Sequence, residues 1–375
     1  MARWVPDVCQ ACPTYARKVP ISGKPEIGCA GTTLWQYLNA MSKEKQPESA
    51  EERLIARYFK PLATHPGALG LLDDAAVIAP PAGCDLVLKT DGVIAGVHFF
   101  IEDPPDTVAK KVLRMNLSDL AAKGARPLGF LLALALPQGV GEAWLAPFAR
   151  GLGEDAELFG CPLLGGDTDH TPGPISVSVA AFGAVPHGKM VRRVGAKPGD
   201  RVVVTGTIGD AALGFLLRRD PAAAARWGLD RGQQDHLRAR YLVPQPRNAI
   251  AEALRAHASA AMDVSDGLAG DLAKLCRASR VGAEVECARV PLSDAARAAL
   301  ATEPALLETI VSGGDDYEVL ATVPANEVEA LRKQASTLGV AVTEIGAVIA
   351  GKGEARFLGA DGKPLALAHP SFSHF

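Results

Sequence analysis

Aspartates recur where apolar runs break. Asp73-Asp74 precede Ala-Ala-Val-Ile, and Thr90-Asp91-Gly92 follows Leu86-Val87-Leu88. Asp119 sits inside Met115-Asn116-Leu117-Ser118-Asp119-Leu120, and Gly165-Gly166-Asp167 follows Leu163-Leu164. Met262-Asp263-Val264-Ser265-Asp266-Gly267 and Ser312-Gly313-Gly314-Asp315-Asp316 complete the series. The end of an apolar strand, followed by glycine, is where α/β folds place their sites. Two carboxylates about 4 Å apart repel by about 1 kcal/mol in water and about 4 kcal/mol near a protein surface. A hard divalent cation between them turns that repulsion into affinity. The pattern predicts a multi-carboxylate Mg2+ site that receives phosphates, with the acidic side chains meeting in one cradle.

Local context separates these residues. Asp119 lies in a largely apolar helical stretch, where an unpaired carboxylate is costly, so it calls for a partner or a metal. Asp263 stands beside apolar Val264, whereas Asp266 could cap the helix that follows. Paired glycines before Asp167 and Asp315 let backbone approach a bulky anion, although each could be an ordinary turn. Thr205-Gly206-Thr207-Ile208-Gly209-Asp210 joins a strand to a helix and reads first as a tight turn with Asp210 as N-cap, second as an anion site. His98 ends an extended stretch and is either structural or a substrate contact. No Walker A loop, no Gly-x-Gly-x-x-Gly after a strand and no protein-kinase signature occurs, so nucleotide chemistry needs another scaffold.

Elements must carry these residues. The chain has 375 residues, 48% hydrophobic and 22% charged, which suits two domains with ample core. A net charge of −3 and 5% aromatics give no footprint for nucleic acid. No apolar run spans a bilayer. Seven scattered cysteines suit reduced thiols and a cytoplasmic location. Cys9 and Cys12 have zinc-like spacing but lack a second ligand pair. Residues 1–50 have no sustained period and read as a disordered leader. Residues 51–196 form a first domain and 197–375 a second, parted at the turn Lys197-Pro198-Gly199-Asp200. Strands are expected at 85–89, 129–136, 175–179, 201–205, 317–323, 340–348 and 355–358. Helices are expected at 51–59, 107–123, 141–159, 210–218, 245–257, 268–279 and 326–338. The alternation gives an α/β or α+β class.

Together these segments resemble the thiamine-monophosphate kinase family, within the superfamily that includes aminoimidazole ribonucleotide synthetase. Asn116-Leu117-Ser118-Asp119-Leu120, Gly165-Gly166-Asp167-Thr168, Gly195-Ala196-Lys197-Pro198-Gly199-Asp200, Asp263-Val264-Ser265-Asp266-Gly267-Leu268 and Ser312-Gly313-Gly314-Asp315-Asp316-Tyr317-Glu318 carry the resemblance in order, from about Leu54 to Phe375. It implies a two-domain aminoimidazole ribonucleotide synthetase-like fold, with an N-terminal mixed sheet closing into a barrel in a homodimer and a C-terminal α/β domain. It implies transfer of the ATP γ-phosphoryl group to thiamine monophosphate. By position, Asp74, Thr90, Asp91, Asp119, Asp167, Asp263 and Asp266 resemble Mg2+ ligands, with Asp119 and Asp266 central to catalysis. Gly166, Asp167, Arg193 and Ser265 resemble ATP contacts, and His98, Asp315 and Phe372 contacts to thiamine monophosphate.

The chemistry agrees, because phosphoryl transfer is carried by positioning and charge neutralisation. Arg193 can hold a phosphate bidentately. The acceptor is itself a phosphate monoester, so direct in-line attack needs no strong base. Three positions depart from the family pattern: Leu72 where glycine is usual, Lys89 where serine or threonine is usual, and Asp315 where glutamate is usual. They keep two alternatives in view, another ATP-dependent enzyme of the superfamily and a degenerate nucleotide-binding regulator.

Overall fold

Eleven residues of continuous extended backbone, Cys84–Ile94, form strand β1. It runs straight through Thr90-Asp91-Gly92, where the sequence suggests a strand end. The structure, a computed structural model, describes residues 49–368 and Ser371. Cys9, Cys12, Phe372 and nearly all of the expected leader lie outside the described residues. A helical turn, Ala50–Leu54, passes into a π-helical turn at Ile55–Phe59. After β1 come helix α1 (Pro105–Ala122), β2 (Arg126–Leu136), helix α2 (Glu142–Leu158), β3 (Leu163–His170) and β4 (Ser176–Pro186). These strands make one mixed sheet in the order β1-β4-β2-β3. Only β2 and β3 run parallel; β4 is antiparallel to both of its neighbours.

The second sheet lies wholly beyond the Lys197–Asp200 turn. It comprises β5 (Arg201–Thr205), β6 (Ala260–Asp263), β7 (Gly282–Glu286), β8 (Val319–Val323), β9 (Val342–Ile349) and β10 (Ala355–Leu358). Their order is β10-β7-β9-β5-β8-β6, with only β10 and β7 parallel. Its helices of seven residues or more are α3 (Asp210–Arg219), α4 (Arg231–Leu242), α5 (Ala251–His257), α6 (Leu268–Ser279), α7 (Asp294–Thr302), α8 (Leu306–Ser312) and α9 (Val328–Thr337). Both sheets are mostly antiparallel, so among the sequence expectations the α+β description applies.

Helix α1 is the spine. Val108, Val112, Leu113, Leu117 and Leu120 are fully shielded in the core under the first sheet. Ala122 at its end joins the core under β8 and α9. A helix apolar on so much of its circumference must be covered on several sides. Four of its polar residues, Lys111, Arg114, Asn116 and Ser118, are buried too, and each makes at least one hydrogen bond. Arg114 makes a two-pronged bond to Asp155 of α2 at 2.6 and 2.8 Å and donates to the Pro244 carbonyl at 2.9 Å.

Several local expectations shift for identifiable reasons. The helix expected from Gln245 begins as a 3-10 turn at Asn248 and becomes α-helical only at Ala251. Asp210 is not the N-cap of α3. Gly209, at φ 88°, holds that place, and the Asp316 carboxylate, distant in sequence, accepts from Gly209 N at 2.9 Å. The amide donors of that helix start are thus met by an internal carboxyl group. Asp210 instead accepts from Thr207 Oγ1 at 2.6 Å and faces the His236 ring at 2.9 Å.

Candidate active site

One stripe of α1 faces an open cavity of about 520 Å3. Residues four apart share a helix face, and Met115 and Asp119 line this cavity. Lys111, one turn earlier on the same stripe, reaches Asp315 at 2.8 Å. One turn later Lys123 donates to the Ala261 carbonyl at 2.7 Å. Burial drives the Lys123 amine down to about 8, despite the opposing pull of nearby Asp263.

Opposite this stripe stand two loops of the second sheet. Asp263 ends β6, and the chain turns at once into Val264-Ser265-Asp266-Gly267 before α6. Asp271, in the first turn of α6, accepts from the amides of Ser265 and Asp266, both at 2.9 Å. That carboxylate holds the loop in a tight curl. The neighbouring loop binds to it, with Asp315 N donating to Ser265 O at 2.9 Å. Gly314 permits the approach, since a Cβ there would stand 2.4 Å from the Ser265 carbonyl oxygen. Asp315 and Tyr317 both adopt left-handed φ, 69° and 51°. Such residues cost about 1–3 kcal/mol each and persist where surroundings over-determine them. Here the twist presents Asp315 to the cavity, Asp316 turns into the core, and the largely buried Tyr317 donates its hydroxyl to Asp315 Oδ1 at 3.1 Å.

Four predicted ligands therefore line one space: Asp91, Asp119, Asp263 and Asp266. Their electrostatics confirm proximity. Burial lifts Asp263 to about 8, with Asp119 adding repulsion. Asp91 is also raised, first by burial, with Lys89 opposing and Asp119 and Asp266 contributing. His98, Arg193, Ser265 and Asp315 line the same cavity. His98 Nδ1 accepts from Ile94 N at 3.1 Å. Arg193 sits in the exposed segment between β4 and β5.

Among the described residues, the other predicted ones, Asp74, Thr90, Gly166 and Asp167, line a different cavity of the chain, so the expected single cradle is split in two here. Successive strand residues point to opposite faces. Lys89 and Asp91 face the α1 side of the sheet, while Leu86, Leu88 and Thr90 face a second cavity of about 880 Å3. Asp74, Gly166 and Asp167 line that second cavity with Thr90. Thr90 Oγ1 donates to the Val179 carbonyl at 3.0 Å. Because β1 continues through Thr90-Asp91, adjacent residues that look like one ligand pair are parted by the sheet. Gly165-Gly166-Asp167 likewise belongs to β3 rather than to a loop beyond it.

The α1-side cavity suits a hard cation in its donors, which are carboxylate oxygens. Asp263 Oδ2 is buried and without a hydrogen-bond partner, a vacancy for a cation or a proton. Among the described residues, however, no three Asp, Glu, His or Cys side chains form a ready cage. Two ammonium groups explain why. Lys89 bridges Asp91 and Asp119, and Lys274 bridges Asp266 and Asp271. Mg2+ commonly binds through one or two carboxylates and completes its shell with water and substrate phosphates. These residues fit that mode and do not fit an all-protein cage.

Comparison with known proteins places this geometry. Residues 72–185 match the family model for AIR synthase related protein, N-terminal domain, and residues 197–359 match the corresponding C-terminal domain. Over 315 residues the chain is 46% identical to a thiamine-monophosphate kinase of Caulobacter vibrioides, covering 83% of this chain and 87% of the relative. The chain belongs to the thiamine-monophosphate kinase family. The thiamine-monophosphate kinase structure from Stenotrophomonas maltophilia K279a is 38% identical, covers 84% of this chain and 96% of its own, and superposes with a TM-score of 0.73. The structure of AaThiL complexed with AMPPCP and TMP is 29% identical, covers 82% of this chain and 97% of its own, with a TM-score of 0.66. The family therefore brings with it the two-domain AIR synthase-like fold.

Sequence reading missed several residues at the cavity wall or just behind it. Lys111 was legible in principle, because it lies two helical turns before Asp119 on one face. Its Nζ lies 4.0 Å from the centre of the Tyr241 ring. Tyr241 and Phe215 line the cavity from α4 and α3. They carry no local signal, since an aromatic on a helix most often packs in a core.

Proposed function

We propose that this chain transfers the γ-phosphoryl group of ATP to thiamine monophosphate, giving thiamine diphosphate and ADP. The observation that carries the reading is family membership across most of the chain, joined to the carboxylates that converge between α1 and the loop after β6. The chain's own residues then have distinct work. Asp91, Asp119, Asp263 and Asp266 would hold Mg2+, with Asp119 and Asp266 nearest the chemistry. Bound there, Mg2+ neutralises phosphate charge and aligns the reacting oxygens.

Arg193, exposed at the cavity wall, would grip phosphate in two-pronged fashion. The amides of Ser265 and Asp266 are already taken by Asp271, so the Ser265 hydroxyl is its available donor. His98 and Asp315 face the acceptor, and Asp315 with Lys111 sets charge at the thiamine end. Phe215 and Tyr241 supply apolar walls that exclude water from the reacting phosphates. The acceptor phosphate is ionised at neutral pH, so transfer proceeds in line without a phosphoenzyme. Gly166, Asp167, Asp74 and Thr90 form a second group on the other face of the first sheet and belong to the nucleotide side in this reading.

A homodimer is part of the same proposal. Leu86 and Leu88 are 41% and 67% exposed on the face of β1 opposite α1. Large exposed apolar residues gathered on one sheet face mark a protein interface. Sedimentation at the mass of a single chain, at micromolar concentration, would refute the dimer. No helix among the described residues is long and apolar enough to cross a membrane. Cys84, Cys161, Cys276 and Cys287 are free thiols, which supports a cytoplasmic setting.

The test mixes ATP, Mg2+ and thiamine monophosphate and resolves the products by chromatography. Thiamine diphosphate in step with ADP is expected. Folded protein that binds ATP without forming thiamine diphosphate would instead favour the regulator, and turnover of ATP only with another acceptor would favour a different enzyme of the superfamily.

A further inference from the structure

Lys89 is an unusual neighbour for a cation site. Its Nζ lies 3.0 Å from Asp91 Oδ2 and 2.8 Å from Asp119 Oδ2. It reaches them from a strand position fixed on both sides of the residue, since β1 pairs with β4 without interruption from Cys84 to Ile94. Period-two geometry forces Lys89 and Asp91 onto one face, and Asp119 faces them from α1. The ammonium therefore stands between the two carboxylates that join the first sheet to its helix. On the far side of the cavity the balance differs. Asp263 Oδ2 is buried and without a hydrogen-bond partner, while Lys274 pairs with Asp266. The chain itself thus supplies a cation to Asp91, Asp119 and Asp266, and leaves Asp263 Oδ2 without one.

We propose that the Lys89 ammonium is a resident cation, held in a position among Asp91 and Asp119 that a divalent ion would otherwise take, so that this protein loads one ion fewer per chain. The inference rests on the phosphoryl-transfer reading only for the identity of the ions. An ammonium is a compact, strongly hydrated point charge, able to offset carboxylate repulsion though not to bind phosphate through an inner shell. It brings no ligand exchange, and it cannot leave by dilution. The site is therefore part-assembled before any metal arrives, and demand for free divalent ion falls. Lys274 does a different task. It ties Asp266 to Asp271, the carboxylate that curls the loop after β6, and so acts on loop shape within one segment.

The experiment counts ions without turnover. Wild-type protein and the variants Lys89→Ser, Lys89→Gln and Lys89→Arg are titrated with Mn2+ in the presence of AMPPCP and without thiamine monophosphate. Free Mn2+ is read by electron paramagnetic resonance. The Ser and Gln variants are expected to bind one more Mn2+ per chain than wild type, and the Arg variant the same number. Saturating Mg2+ should also raise the thermal midpoint of the Ser and Gln variants by roughly 2 °C or more beyond its effect on wild type. A neutral variant that folds only with Mn2+ present would support the proposal in the same way. Equal ion counts in all four folded proteins would overturn it, as they would if Lys89 simply swings aside when ions bind. Failure of both neutral variants to fold with or without Mn2+ would also overturn it, by making Lys89 a structural residue. Absence of kinase turnover in wild type would sink the functional reading while leaving the ion count readable.

Discussion

Asp119→Asn is expected to lower kcat by about 100-fold or more while leaving the fold intact. Removing one preorganised electrostatic contact to a transition state typically costs about 10²–10³ in rate. Asp119 is positioned for that loss. It sits on the cavity stripe of α1, only 15% of its side chain is exposed, and it is the common neighbour of Lys89 and Asp263. Asparagine keeps its shape but gives up the charge, so Lys89 would keep only Asp91. The same change relieves repulsion on buried Asp263, which argues against any loss of stability. The expected signature is therefore a collapse in turnover with an unchanged or slightly raised thermal midpoint. Steady-state kinetics with thiamine monophosphate, paired with thermal unfolding, reads both. Wild-type turnover would remove Asp119 from the site.

The second large effect concerns folding. Glu318 is wholly buried at the entry to β8 and gathers contacts from distant parts of the chain. Thr205 Oγ1 donates to it at 2.6 Å, Arg240 of α4 at 2.9 Å, and Arg247 Nε at 2.6 Å. A charged cluster of this kind adds little against an apolar substitute, but breaking it by removing one partner is costly, about 3–5 kcal/mol. Glu318→Gln leaves two guanidinium groups in low dielectric without their counter-charge. Urea unfolding should show a midpoint shift corresponding to about 3 kcal/mol or more. The activity of whatever remains folded should show a raised KM for thiamine monophosphate, because Arg240 also donates to the Asp316 carbonyl at 3.2 Å and so braces the loop that presents Asp315. A variant that unfolds with wild type would show that Thr205 and the backbone hold this region alone.

Much of the site was legible in the sequence because its chemistry is local. A carboxylate inside the apolar helix pattern around Asp119 must have a partner, whatever the fold. Asp263 beside Val264, and the glycines that let the Asp266 and Asp315 loops approach, carry the same kind of signal. Most long strands and helices announced themselves by period, and α6 and β10 fall where the pattern put them. The helices α4, α7 and α8 and the strands β3, β6 and β7 did not: most are brief, β3 reads locally as a glycine-rich turn, and α4 carries too few apolar residues to show a helical period.

What the sequence determined by itself is therefore the inventory: which side chains could bear negative charge at strand and helix ends, and that they suit phosphate and a hard cation. Tertiary structure decided their grouping. Hydrogen-bonded pairing with β4 kept β1 extended through Thr90 and Asp91, and an extended chain sends neighbours to opposite faces. The same pairing aimed Lys89 at Asp91 and Asp119. Neither outcome is written in local propensity, because strand register depends on a partner far along the chain, and only that partner fixes which face each residue meets.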